Sequence, residues 1–171
     1  MDQTSTTVFV KPKRTTFVTV LCILTFLGSA YGIFAGLLAY SKGPQISRAN
    51  KEQRAKQESK PGTRKESEFD KKLDSEIAMF MDAEKIKQNA VASILTNAIT
   101  FIGAFLMFRM NSKGFWVYVL GTVGGVIAPL VIFGHNSLAN IFAYGSGFVG
   151  LIFIVMYAFN LRDMKPQPVY D

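Results

Sequence analysis

The chain has 171 residues, 49% of them apolar, and a formal net charge of +7. That length provides for one bundle and no second globular domain. A single histidine, His135, and a single cysteine, Cys22, exclude a haem held by two histidines, a multi-histidine metal site and an internal disulfide within one chain.

Residues 1–14 read as a polar, basic N-terminal tail carrying Lys11, Lys13 and Arg14. Residues 15–41 then contain no Lys, Arg, Asp or Glu. A helix needs about 20 apolar residues to cross the ~30 Å hydrocarbon core, so this run is the first transmembrane helix. It covers Phe17 to Tyr40 and is expected to end before Gly43-Pro44, because the residue before proline disfavours the helical region. The basic residues, the apolar Phe17–Leu27 and Gly28-Ser29-Ala30 together resemble a cleavable signal. Apolar character continues to Tyr40, which favours an uncleaved span. Cys22 inside it reads as a small apolar packing residue.

Residues 42–88 form a charged extramembrane loop. Pro61-Gly62 is its clearest turn signal. The segment 46–60 either returns as a partner helix or stays disordered, since it holds almost no apolar residues. Ser67 reads as a helix cap, and Phe69, Leu73, Ile77 and Phe80 follow at spacings of three and four, an amphipathic stripe. No breaker separates this stripe from the uncharged run at 89–108, the second transmembrane helix. The pattern predicts one helix from Glu68 to Phe108, its first half projecting roughly 30 Å from the membrane.

From Gly114 to Leu161 there is again no Lys, Arg, Asp or Glu. His135-Asn136-Ser137 divides this stretch into a third span at 115–134 and a fourth at 139–161, antiparallel neighbours joined by a short turn. His135 itself reads as a solvated interfacial side chain. Pro129 is expected to kink the third helix. Tyr40, Trp116, Tyr118 and Tyr157 fall near span ends, where amphipathic rings favour the membrane interface. Residues 162–171 are a C-terminal tail. The fold class is therefore all-α, a polytopic four-transmembrane-helix bundle with one charged, helical or partly disordered loop. A membrane β-barrel is rejected, because its strands would alternate apolar and polar residues.

Basic residues beside the spans number slightly more on the side of the termini (Lys11, Lys13, Arg14, Arg109, Lys113, Arg162, Lys165) than on the other (Lys42, Arg48, Lys51, Arg54, Lys85, Lys87). The termini are accordingly read as cytoplasmic. In these positions the positive charge meets anionic lipid head groups rather than nucleic acid.

Small residues recur every fourth position on three spans. Gly28, Gly32 and Gly36 mark the first, Gly121 and Gly125 the third, and Gly147 and Gly150, with Ala143 and Ser146, the fourth. Such faces let helix backbones approach closely. They serve either packing within the bundle or docking of another membrane helix. Ser93, Asn97 and Thr100 form a polar stripe on the second span, open to two readings: hydrogen bonds between helices, or a polar contact with a solute. Gly145-Ser-Gly-Phe-Val-Gly150 matches the dinucleotide fingerprint by letter, yet it lies inside an apolar span without the strand and turn that the fingerprint requires.

The spans carry no Asp, Glu, Lys, Arg or His, the usual marks of proton relays and ion pathways. No nucleophile stands beside a base. An enzyme, a cofactor and a metal site are not expected. Thr16-Phe-Val-Thr-Val-Leu-Cys-Ile-Leu-Thr-Phe-Leu-Gly-Ser29 and Val155-Met-Tyr-Ala-Phe-Asn-Leu161 resemble segments of small bacterial four-span membrane proteins of unassigned function. The resemblance implies a bacterial cytoplasmic membrane and carries no binding residues. The expected role is a non-enzymatic accessory or scaffold subunit that docks other membrane helices, or its own copies, through the glycine faces. The alternative is a small oligomeric channel or transporter for an uncharged solute, lined by Ser93, Asn97 and Thr100.

Overall fold

A computed structural model describes residues 8–10, 15–58, 68–134, 137–161 and 167–169. Five helices make up nearly all of it: α1 (Thr16–Glu58), α2 (Glu68–Phe80), α3 (Ala83–Phe108), α4 (Lys113–Phe133) and α5 (Ser137–Asn160). Four of these, all but α2, are long and apolar enough to cross a membrane. Their outward faces are apolar as well, as in Leu27, Trp116, Val131 and Phe159, all strongly exposed. Water would not tolerate so much contiguous apolar surface, whereas lipid does. The chain is an all-α, multi-pass membrane bundle.

The tails add one element that their polar composition does not announce. Val8–Val10 (β1) pairs antiparallel with Gln167–Val169 (β2), Val8 opposite Val169. The two segments meet, in keeping with an even number of spans, which brings both ends of the chain to one side of the bundle. His135, Asn136 and the Pro61-Gly62 turn lie outside the described residues.

Two expected boundaries are corrected. The first helix does not end before Gly43-Pro44: α1 runs through Pro44 to Glu58. A proline inside a helix removes one backbone hydrogen bond and crowds the preceding turn. Packing offsets that cost here, because Gly43 is buried against Ile86 of α3 and Ser47 is buried nearby. Beyond Ser47 most described side chains are exposed, and the helix continues out of the apolar zone. At 1.5 Å per residue, the part after Ser41 is about 25 Å long.

The second correction concerns the helix predicted from Glu68 to Phe108. It breaks at Met81-Asp82, where Asp82 adopts an extended conformation (φ −66°, ψ 131°) at the N-cap of α3. Asp82 stands at the N-cap without a side-chain cap bond, and the break falls where no glycine or proline marks it. Its effect is to turn α2 back over the end of the bundle instead of letting it project. Phe80 then stacks on Phe133 of α4 at 5.2 Å and on Phe142 of α5 at 6.1 Å. The Leu138 N–H, in the first turn of α5, donates to Oε2 of Glu76 at 3.3 Å. A carboxylate at a helix N-terminus meets both an unpaired N–H and the positive end of the helix dipole.

Packing follows the order α1–α3–α4–α5, with α1 and α5 at the two ends of the row and barely in contact. They meet only near the termini, where Val18, Leu21, Cys22, Met107, Phe115, Tyr118 and Tyr157 form the buried core. Tyr118 and Tyr157, expected at the interface, are instead buried here, edge to face with centroids 5.1 Å apart. Trp116 and Tyr40 are exposed at span ends as read. Away from this core the row fails to close, and α1 and α5 stand apart.

Candidate functional site

The unclosed row encloses a cavity of about 710 Å³ within the membrane-spanning region. Its size falls in the range of small-molecule sites. All four spans contribute, and Phe80 of α2 reaches its rim.

The floor is built at the termini end. The hydroxyls of Thr25 and Tyr157 lie 2.9 Å apart and link α1 to α5, while Thr25 also donates to the Leu21 carbonyl at 3.0 Å. Cys22 packs beneath, with no exposed surface and its thiol 3.6 Å from the Ala104 carbonyl. The opposite end is covered by the stacked rings of Phe80, Phe133 and Phe142, with the Lys85 ammonium 6.0 Å from the Phe133 ring centre. Between floor and cover the cavity opens sideways. Leu24 and Gly28 on α1, and Phe142, Ser146 and Val149 on α5, line it and are also exposed on the outer surface. This seam between α1 and α5 faces the hydrocarbon.

The wall is polar on one side. Asn89, Ser93, Thr96, Asn97 and Thr100 descend one face of α3, joined by Thr25 and Ser29 of α1, Thr122 of α4 and Ser146 of α5. The α4 and α5 side is otherwise apolar, with Val126, Pro129, Phe133, Phe142 and Phe153. Pro129 lies within α4 and contributes its ring to this lining. None of the described lining residues is Asp, Glu, Lys, Arg or His. Among the described residues no group of three His, Cys, Asp or Glu side chains could hold a metal ion.

The structure brings Ser93, Asn97 and Thr100 together in this wall. The Asn97 amide donates to the Ser93 carbonyl at 2.8 Å, Thr100 donates to the Asn97 carbonyl at 2.8 Å, and the Ser29 and Thr100 hydroxyls lie 3.1 Å apart. The stripe therefore serves both as a link between α1 and α3 and as cavity lining. Thr25, Ser29, Thr96, Thr122 and Ser146 complete it. Sequence spacing could have suggested Thr25 and Ser29, which stand four apart on one helix face. Nothing in the sequence alone places Thr122 or Ser146 in the lining of this cavity.

The glycine positions are occupied from within. A Cβ on Gly32 would collide with the Asn97 side chain, and one on Gly36 would lie 2.7 Å from Ile94 Cγ1. Gly121 abuts the Thr100 backbone, Gly147 abuts Val126, and Gly150 abuts Thr122. Gly125 makes looser contact with Thr96, and Gly28 faces open cavity with no atom within 4 Å. Apart from Gly28, these glycines pack against the bundle's own helices. Gly145-Ser-Gly-Phe-Val-Gly150 lies wholly inside α5, where a helix leaves no turn to cradle a phosphate.

No family model, curated protein or solved structure matches the chain. The site must be read from its own chemistry.

Proposed function

We propose that this protein is a non-enzymatic membrane protein that takes an uncharged amphiphile from the bilayer and holds it in the cavity between its helices. The observation that carries the reading is the lateral seam between α1 and α5, flanked by Gly28 and Ser146. A guest entering there has to dissolve in hydrocarbon, and its polar head has to be neutral, because no lining residue could compensate a charge. The polar α3 wall would hold the head and the apolar α4–α5 wall the chain. The floor at Thr25 and Tyr157 favours a binding site over an open pore through one chain. For the same reason, an oligomeric channel lined by Ser93, Asn97 and Thr100 has less support: these side chains face the interior of their own bundle.

Supported by the distribution of Lys and Arg and by the resemblance to small bacterial four-span proteins, we assign the protein to the bacterial cytoplasmic membrane, with both termini cytoplasmic. A second role, docking of a partner as an accessory subunit, is favoured by the exposed charged extension of α1 beyond Ser47 rather than by the glycine faces.

Mass spectrometry of lipids retained by the purified protein tests the main reading. A neutral lipid is expected at a fixed ratio to wild-type protein and absent from Gly28→Trp, whose side chain would grow into the cavity. A wild-type protein that retains none, or a Gly28→Trp protein that retains as much, would overturn it.

A further inference from the structure

We propose that the cavity selects a guest whose head donates hydrogen bonds, a hydroxyl-headed lipid rather than an ether, ester or ketone of the same shape. The inference rests on the reading of the cavity as a binding site and names the chemistry it would select.

It follows from where the protons of the polar wall point. A hydroxyl carries one proton and two lone pairs. The Thr96 hydroxyl donates to the Ala92 carbonyl at 2.9 Å, Thr122 to the Tyr118 carbonyl at 3.0 Å, and Ser146 to the Ala143 carbonyl at 2.9 Å. The Asn97 amide nitrogen is engaged by the Ser93 carbonyl at 2.8 Å and the Ser93 hydroxyl at 3.3 Å. Each proton is thus turned back into its own helix, as short polar side chains do in apolar surroundings. Each carbonyl also accepts its own helical N–H, so turning a proton to a guest exchanges one hydrogen bond for another, whereas a guest that donates adds a bond without breaking one.

What these groups can still offer a guest is lone pairs, on Thr96, Thr122 and Ser146 and on the Asn97 amide oxygen. Their depths agree. Gly125 lies beside Thr96, Gly147 beside Val126 and Gly150 beside Thr122, so the acceptors fall within about one helical turn of each other. Ser93 and Asn89 keep protons of their own: the Ser93 oxygen accepts from the Asn97 amide at 3.3 Å, at the edge of this cluster, and Asn89 lies about one further turn towards the α2 end. A bare metal cation also seeks oxygen lone pairs. It is disfavoured because it would have to shed its water and enter through hydrocarbon.

The test compares hexadecan-1-ol with hexadecyl methyl ether, which differ in the single donated proton, by native mass spectrometry of the full chain in lipid nanodiscs. The alcohol is expected to bind about tenfold tighter than the ether, the equivalent of one hydrogen bond. Thr96→Val, nearly the same shape without the acceptor, is expected to reduce alcohol binding severalfold and leave ether binding unchanged. Equal binding of the two probes, or tighter binding of the ether, would overturn the donor preference while leaving the cavity as a binding site. Binding of neither probe, with no lipid retained by the wild-type protein, would overturn both. An alcohol preference that Thr96→Val and Ser146→Ala both leave intact would also overturn the assignment to these acceptors.

Discussion

Glycine and short hydroxyl side chains decide most of what happens at individual positions of this bundle. Gly103 marks the closest approach of two backbones: a Cβ there would lie 2.5 Å from the Tyr118 nitrogen and 2.7 Å from its Cα. Neither atom can move without displacing a helix. Gly28 is the opposite case, with open space where its Cβ would stand. Gly103→Ala is therefore expected to cost about 1–3 kcal/mol by overpacking, whereas Gly28→Ala is expected to leave stability within about 0.5 kcal/mol of wild type. Thermal melts of the two variants in the same detergent check the contrast, and equal melting temperatures would contradict it. At this scale the sequence was legible in part. The regular spacing of Gly28, Gly32 and Gly36 announces a packing face, but spacing cannot say that Asn97 fills the place opposite Gly32 while nothing fills the place opposite Gly28. That depends on how far α5 stands from α1, a property of no single position. Tyr118 and Tyr157 show the same limit. Their place near span ends suggests the membrane interface, yet each finds the other's ring, and Tyr157 a threonine hydroxyl, inside the bundle.

At the scale of elements, α2 is the segment whose sequence pattern was clear and whose placement was not. Its apolar stripe of Phe69, Leu73, Ile77 and Phe80 is visible by eye, but the same stripe suits a projecting helix and one folded back on the bundle. The extended backbone at Asp82 separates α2 from α3, and the contacts of Phe80 and Glu76 set α2 on the bundle. The stripe is used unevenly: Phe80 is engaged with two rings, while Phe69 stays largely exposed. An amphipathic helix so disposed, with charged residues opposite the stripe, suits the membrane–water interface. Its anchorage depends on Glu76 as the carboxylate at the N-terminus of α5. Glu76→Ala is expected to remove about 1 kcal/mol of that anchorage and to speed hydrogen exchange across Glu68–Phe80 while α3 and α4 stay protected. Unchanged exchange in α2 would show that the aromatic stack alone holds it. Pro44 teaches the complementary lesson. A rule about local backbone sterics predicts a helix end there, and burial of Gly43 against α3, with Ser47 buried nearby, overrides it.

The whole molecule is a bundle closed at one end, covered at the other and open along one side. The four spans were legible because hydrocarbon demands long uncharged helices; the void between them was not, because the same sequence pattern serves a filled interior equally well. If the void is a binding site, its occupant binds the folded state alone and must stabilise it. Protein stripped of lipid in detergent is expected to melt lower than protein supplied with hexadecan-1-ol, by about 2.7 kcal/mol at a hundredfold excess over the dissociation constant. Gly28→Trp is expected to melt at one temperature with and without the alcohol. A wild-type protein indifferent to the alcohol would count against the cavity as its site.

One contact has a meaning beyond anchorage. α5 rests mainly on α4 and is the least enclosed of the four spans. It is also the span that α2 grips, through Glu76 and Leu138 and through Phe80 and Phe142. Widening the seam by moving α5 outward has to loosen that grip, and α2 lies where the aqueous phase begins. If a guest enters through the seam, filling the cavity is expected to change the posture of a helix that lies outside it.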